Sequence, residues 1–176
     1  MGSSLQFADN GLHFITSTVV GWQEVFSRIR YQEILVDAIN FAIDNRGLRV
    51  FSYVVMPNHL HKIVDCDSEK FQLAKVIERL KSFVAHEVTD LIKNTEQEAR
   101  RARFLNAFGF YGGRKNRDSQ FWIHRNHPIR IYSNEVFEQK AEYIEMNPVK
   151  AGYVEEPHYW RLSSANIHSP VKVSVA

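Results

Sequence analysis

Two histidines one residue apart, His59 and His61, open an apolar run directly behind Met56-Pro57-Asn58. On an extended strand side chains alternate between faces, so both imidazoles point one way and Leu60 and Lys62 the other. Two neutral imidazoles side by side can chelate one divalent cation. Their position sharpens the pattern, because a proline-asparagine break sets a loop end against the start of a rigid strand. Further along, Tyr143 and Asn147 are four residues apart in a helical pattern, which places phenol and amide on one face. Each pair also has a plainer reading. Histidines at this spacing occur where no metal binds. Tyr143 fits a half-covered aromatic on an amphipathic helix. Asn147, ahead of Pro148, fits a residue pushed off helical geometry that caps a helix end.

The elements that must carry these residues follow from periodicity. Leu12 to Val20 is rich in β-branched and aromatic residues and predicts a strand, ended by Gly21. Ile34, Leu35, Ala38, Ile39 and Ala42 recur at helical spacing between about Gln32 and Asn45, with Asn45-Arg46-Gly47 as the stop. Leu48 to Met56 predicts a second strand and His59 to Asp65 a third, antiparallel to it across the short break. Glu69 to Lys93 is the longest helical pattern, part of 95–105 prolonging it. From Asn94 to about Gln120 the chain is least regular, as Gly109, Gly112 and Gly113 interrupt any period. Ile129 to Tyr132 predicts a fourth strand. Ser133 caps a helix from about Asn134 to Met146, which Pro148 and Gly152 end. Helices interspersed with hairpin-joined strands predict an α+β fold, a ferredoxin-like antiparallel sheet of about four to five strands.

The chain of 176 residues has the length of one domain, 1–176. No apolar run approaches the roughly 20 residues of a spanning helix. The opening MGSSLQFADN lacks a basic segment followed by an apolar one, so no signal peptide and no membrane is expected. The single cysteine, Cys66, allows no internal disulfide, and a reducing cytoplasm fits. A net charge of +2 is uninformative, but its distribution is not. Between Arg100 and Arg130 lie Arg101, Arg103, Arg114, Lys115, Arg117 and Arg125, against one acid, Asp118. Phe104, Phe108, Phe110, Tyr111, Phe121 and Trp122 are interleaved with them. Cations for phosphates beside rings for bases suit a single strand of nucleic acid. A solvated basic loop over core aromatics is the alternative.

MPNHLH (56–61) and YIEMNPVKAG (143–152) together resemble the signatures of the IS200/IS605-type transposases and the related REP-associated tyrosine transposases, the single-tyrosine HUH endonucleases. LHFITSTVVGWQEVF, IERLKSFVAHEV, FWIHRNHPIRIYS and the closing HYWRLSSA look like other segments of that family, so the resemblance covers about 11–167. It implies an HUH-type fold with His59 and His61 as paired metal ligands, Asn147 as a third, amide-type ligand, and Tyr143 as the nucleophile. The expected cofactor is Mg²⁺ or Mn²⁺, with imidazole ligands favouring Mn²⁺ or softer ions. Two departures stand out. Lys62 replaces a more usual aliphatic residue but should face away from the metal, and Tyr153 likewise replaces an aliphatic one.

The implied activity is metal-dependent nicking and rejoining of single-stranded DNA, with hairpin-containing DNA as target and a 5′-phosphotyrosine intermediate. The phenol must lose its proton on attack, and nothing in the sequence identifies the base. Lys81, Arg114, Lys115, Arg117 and Arg125 are candidates for strand contacts. The expected setting is cytoplasmic, at the nucleoid. A homodimer is left open, since some relatives exchange catalytic helices and others act alone. The rival reading is a domesticated hairpin-binding protein that no longer cuts. A histidine-triad hydrolase fits poorly, because Ile63 takes the third alternate position.

Overall fold

The computed structural model describes residues 11–67, 69–124 and 128–175. Arg125 lies outside the described residues. Four antiparallel strands form one sheet: β1 (His13–Thr18), β2 (Leu48–Met56), β3 (His59–Cys66) and the short β4 (Ile129–Arg130). Their order is β2-β3-β1-β4. This is the ferredoxin-like arrangement, in which the first and third strands are inner. Pairing of β1 with β3 sets Thr16 opposite His61 and Thr18 opposite His59. Across the Pro57-Asn58 turn, β2 sets Val54 opposite His61 and Met56 opposite His59.

Helix α1 (Ile29–Arg46) and helix α2 (Leu73–Asn94) cover one face of the sheet. Tyr31, Leu35, Ile39, Ile77, Leu80 and Val84 meet Ile15, Val50, Tyr53, Val55, Leu60 and Val64 in the main core. Gly47 ends α1 at φ +62°, and a Cβ there would stand 2.8 Å from Phe71 Cδ2. The other face carries helix α4 (Asn134–Glu145) and a smaller cluster of Phe14, Val54, Met56, Ile63, Ile131 and Ile144. Ser133 caps α4 by accepting the Val136 N–H, as its sequence predicts. After the last helix the chain returns alongside β2: Val55 N–H donates to Leu162 O and Ser164 N–H to Tyr53 O.

The structure corrects several expectations. The stretch beyond Asn94 holds a regular helix, α3 (Arg101–Gly113), which runs through Gly109. An internal glycine costs a helix about 1 kcal/mol, and burial of Phe104 and Phe108 on the core offsets it. Gly112 is required by packing, since a Cβ would lie 2.5 Å from the Ser119 Cα as the chain doubles back. Helix α2 begins at Leu73 rather than Glu69. Helix α4 ends at Glu145, within a residue of the end expected ahead of Pro148. The chain turns again as α5 (Asn147–Lys150), because an N–H is dispensable in a first turn. Asn147 therefore opens a helix instead of capping one, and Gly152 at φ +75° stops it.

Candidate active site

The face of the sheet that α4 covers carries the histidines. Their ring centroids are 4.7 Å apart, at 73°. Each is held at Nδ1: Thr16 Oγ1 lies 2.8 Å from that of His61, and Asn58 Oδ1 2.6 Å from that of His59. The Asn58 carbonyl oxygen can only accept, which puts the proton of neutral His59 on Nδ1 and the lone pair on Nε2; the Thr16 hydroxyl orients the His61 ring through its Nδ1. Burial, with repulsion from His59 and Lys62, pushes His61 down to about 3. Burial lowers His59 as well, against the hydrogen bond it shares with the Asn147 side chain. Both imidazoles are therefore neutral near pH 7, the form that ligates metal.

Tyr143 comes to them from α4. Its ring centroid is 5.2 Å from that of His61 within the same chain, and 42% of the residue is exposed. Phe14 sets the spacing: it stacks on His61 at 5.4 Å and meets Tyr143 edge-on at 6.0 Å. Lys150 Nζ lies 6.0 Å from the Tyr143 centroid, and Lys140 Nζ 5.3 Å from that of the neighbouring Phe14. Sequence reasoning singled out His59, His61, Tyr143 and Asn147, and the structure brings all four together. It missed Thr16, Phe14 and Lys150, and read Asn58 only as a turn former. The β1–β3 register that places Thr16 beside His61 has no local signature.

Among the described residues no group of three or more His, Cys, Asp or Glu side chains could hold a metal. The available donors are two neutral imidazoles and one amide, with the Asn147 amide already at His59. This set fits a divalent cation of borderline hardness and leaves coordination open for a phosphate oxygen.

Lys62 points to the opposite face, as its alternation predicts, and is 1% exposed beneath α2 with Nζ 3.5 Å from Ser17 Oγ. Lys81 stands on that side too, its ammonium 5.8 Å from the Trp122 ring and its carbonyl accepting the Trp122 indole N–H. Lys81, Lys115 and Arg117 gather around His124. Arg117 donates to its Nε2 at 2.8 Å, and burial with these three charges lowers its pKa. Arg114 is separate and lies 5.7 Å over the Phe110 ring. Three of the strand candidates, Lys81, Lys115 and Arg117, thus form a basic cluster around His124.

The α+β sheet thus carries a histidine pair on an inner strand and a tyrosine on the last long helix beside it. Compared with solved structures, the chain shares its fold with a REP-associated tyrosine transposase bound to a REP hairpin. The TM-score is 0.65 and the identity 19%, over 93% of this chain and 82% of that one. A weaker likeness joins it to a protein of Deinococcus radiodurans R1 assigned to the transposases by inference. That match has a TM-score of 0.46 and 15% identity, over 76% of this chain and 88% of that one. No family model and no curated protein matches the chain. Among the described residues no helix is long and apolar enough to cross a membrane.

Proposed function

We propose that this chain is a transposase that nicks and rejoins single-stranded DNA, with Tyr143 as nucleophile and His59, His61 and Asn147 as ligands of Mg²⁺ or Mn²⁺. The observation that carries the reading is the Tyr143 ring 5.2 Å from His61, on a half-open helix face beside two imidazoles each oriented by a hydrogen bond at Nδ1. A divalent ion, when bound, withdraws charge from a nonbridging phosphate oxygen and fixes the phosphorus. His59 and His61 stand on β3, an inner strand paired on both sides. Asn147 follows Tyr143 by one helical turn, so ligand and nucleophile travel together. Tyr143 Oη forms the new bond to phosphorus, the bond to the 3′-oxygen breaks, and the phenolic proton passes to that leaving oxygen. A 5′-phosphotyrosine and a free 3′-hydroxyl result. The ester is conserved, so a second 3′-hydroxyl can reverse the step and join strands. Lys150, 6.0 Å from the Tyr143 ring, is the cation nearest at hand to balance the phosphate's remaining charge. A hairpin-bearing strand is the substrate class, in keeping with the hairpin held by the structural neighbour. His59, His61, Asn147 and Tyr143 all come from one chain in this reading.

Incubating the full chain with hairpin-bearing oligonucleotides and Mn²⁺ should give a covalent protein–DNA band on a denaturing gel. Tyr143→Phe should abolish the band and leave binding nearly intact. A band of undiminished intensity in that variant removes Tyr143 from the role. The pair His59→Ala and His61→Ala should abolish metal-dependent cleavage, and normal cutting with Mn²⁺ would refute ligation there.

A further inference from the structure

Trp22 belongs neither to the core nor to the chemistry above. Its indole is 62% exposed, yet its backbone sits at φ +54°, a region a bulky side chain rarely enters. Gly21 before it is at φ +60°. The turn is held from several sides. Gln23 Nε2 donates to Gly21 O at 3.1 Å, Arg103 Nε donates to Gln23 Oε1 at 2.8 Å, and Trp22 N–H donates to Val19 O at 3.2 Å. The chain's other two tryptophans, Trp122 and Trp160, give their indole N–H to backbone carbonyls. The exposed, strained one is aimed at the candidate site: its ring centroid is 6.2 Å from that of His59. Tyr111 abuts the same turn, with Cε2 3.1 Å from the Cβ position of Gly21. Phe110, 61% exposed, lies 5.3 Å from Tyr111 and under the Arg114 guanidinium. Aromatic rings thus lie from His59, edge-on to Trp22, past the Gly21 turn to Tyr111 and Phe110 on α3.

We propose that Trp22 is the stacking platform for the unpaired nucleobase next to the phosphodiester that Tyr143 attacks, and that Phe110 with Arg114 is the next station of the same strand. This rests on the reading of His59, His61 and Tyr143 as a site for single-stranded DNA. A base lies one sugar away from its phosphate, so a ring beside the phosphate position meets the base's face. Every base has such a face, so Trp22 supplies affinity and register and leaves sequence choice to other contacts. Backbone strain at a functional site persists where its surroundings over-determine it, and Gln23 with Arg103 supplies that constraint.

The test uses the full chain, a short unstructured oligonucleotide of mixed sequence, and intrinsic tryptophan fluorescence. Binding should quench the wild type, and Trp22→Phe should remove most of the quench while holding affinity within about threefold. Trp22→Leu should weaken binding roughly tenfold, with the salt dependence unchanged because no phosphate contact is lost. Trp22→Gly relieves the left-handed strain, so it should unfold no earlier than wild type yet bind as weakly as the leucine variant. Undiminished affinity in Trp22→Leu and Trp22→Gly, or a full quench in Trp22→Phe, overturns the proposal. If those variants bind normally while the Tyr143 adduct still forms, the platform falls and the nuclease reading stands. If they bind poorly but the wild type never forms an adduct, stacking is upheld and cleavage is refuted.

Discussion

Thr16 and Asn58 each take the Nδ1 nitrogen of an imidazole, and a ring held in that way offers its other nitrogen in one direction. Partners of this kind support metal affinity by about 10–100-fold. Thr16→Val should therefore weaken Mn²⁺ binding to the metal-free protein by roughly that factor, measured by paramagnetic titration, with Thr16→Ser restoring it. On the other face of the same strand, Lys62 is a buried amine whose pKa burial, then Lys81, pulls down to about 7. The unfolded chain keeps its lysine protonated up to about pH 10.4, so between pH 7 and there it binds the extra proton and stability rises with pH. Lys62→Met should raise stability by about 2 kcal/mol near pH 7, with the gain shrinking toward pH 10. Denaturant melts at the two pH values check this.

At the scale of elements, the parts with strong periods were legible. Strand β2 is found where its β-branched run lies, and His59 and His61 share a face because alternation leaves no other choice. Helix α3 was not legible, since its pattern is broken by the residue that the fold demands. Gly112 admits the Ser119 backbone, which no scan of neighbouring residues reveals. Gly112→Ala should destabilise the protein by about 2 kcal/mol, whereas Gly109→Ala, where nothing lies within 4 Å, should stabilise it slightly. Thermal unfolding of the two variants separates them. The aromatic–basic stretch was readable only in part. Arg103 braces Gln23 and Phe104 and Phe108 fill the core, while Lys115 and Arg117 act on His124 together with Lys81, which is distant in sequence.

Across the whole molecule, one buried carboxylate joins distant parts. Glu98, in the link between α2 and α3, accepts from the Tyr31 hydroxyl at 3.0 Å and Arg30 at 2.9 Å. Burial pushes this carboxyl up, but the Arg100 amide, Tyr31 and Arg30 outweigh it and hold the pKa below 4.5. Its contribution is complete above that pH and lost as pH falls through the folded value. Glu98→Gln should cost about 2 kcal/mol at pH 7 and flatten the acid side of the stability curve, as read by denaturant melts from pH 3 to 7.

The candidate set itself is moored unequally. Its imidazoles stand on an inner strand, while its phenol rides on α4, whose one fully covered side chain is Ile144. A helix so lightly fastened opens more readily than the sheet beneath it. Its amides should trade deuterium well before those of β3, and a cation bridging His59 to Asn147 would serve as a clasp, slowing that trade in α4 and α5 while leaving the strand unchanged. The molecule would then be a fixed anvil with a loosely hung hammer, and under the proposed mechanism α4 could swing a DNA end tethered to Tyr143 from one strand to the next.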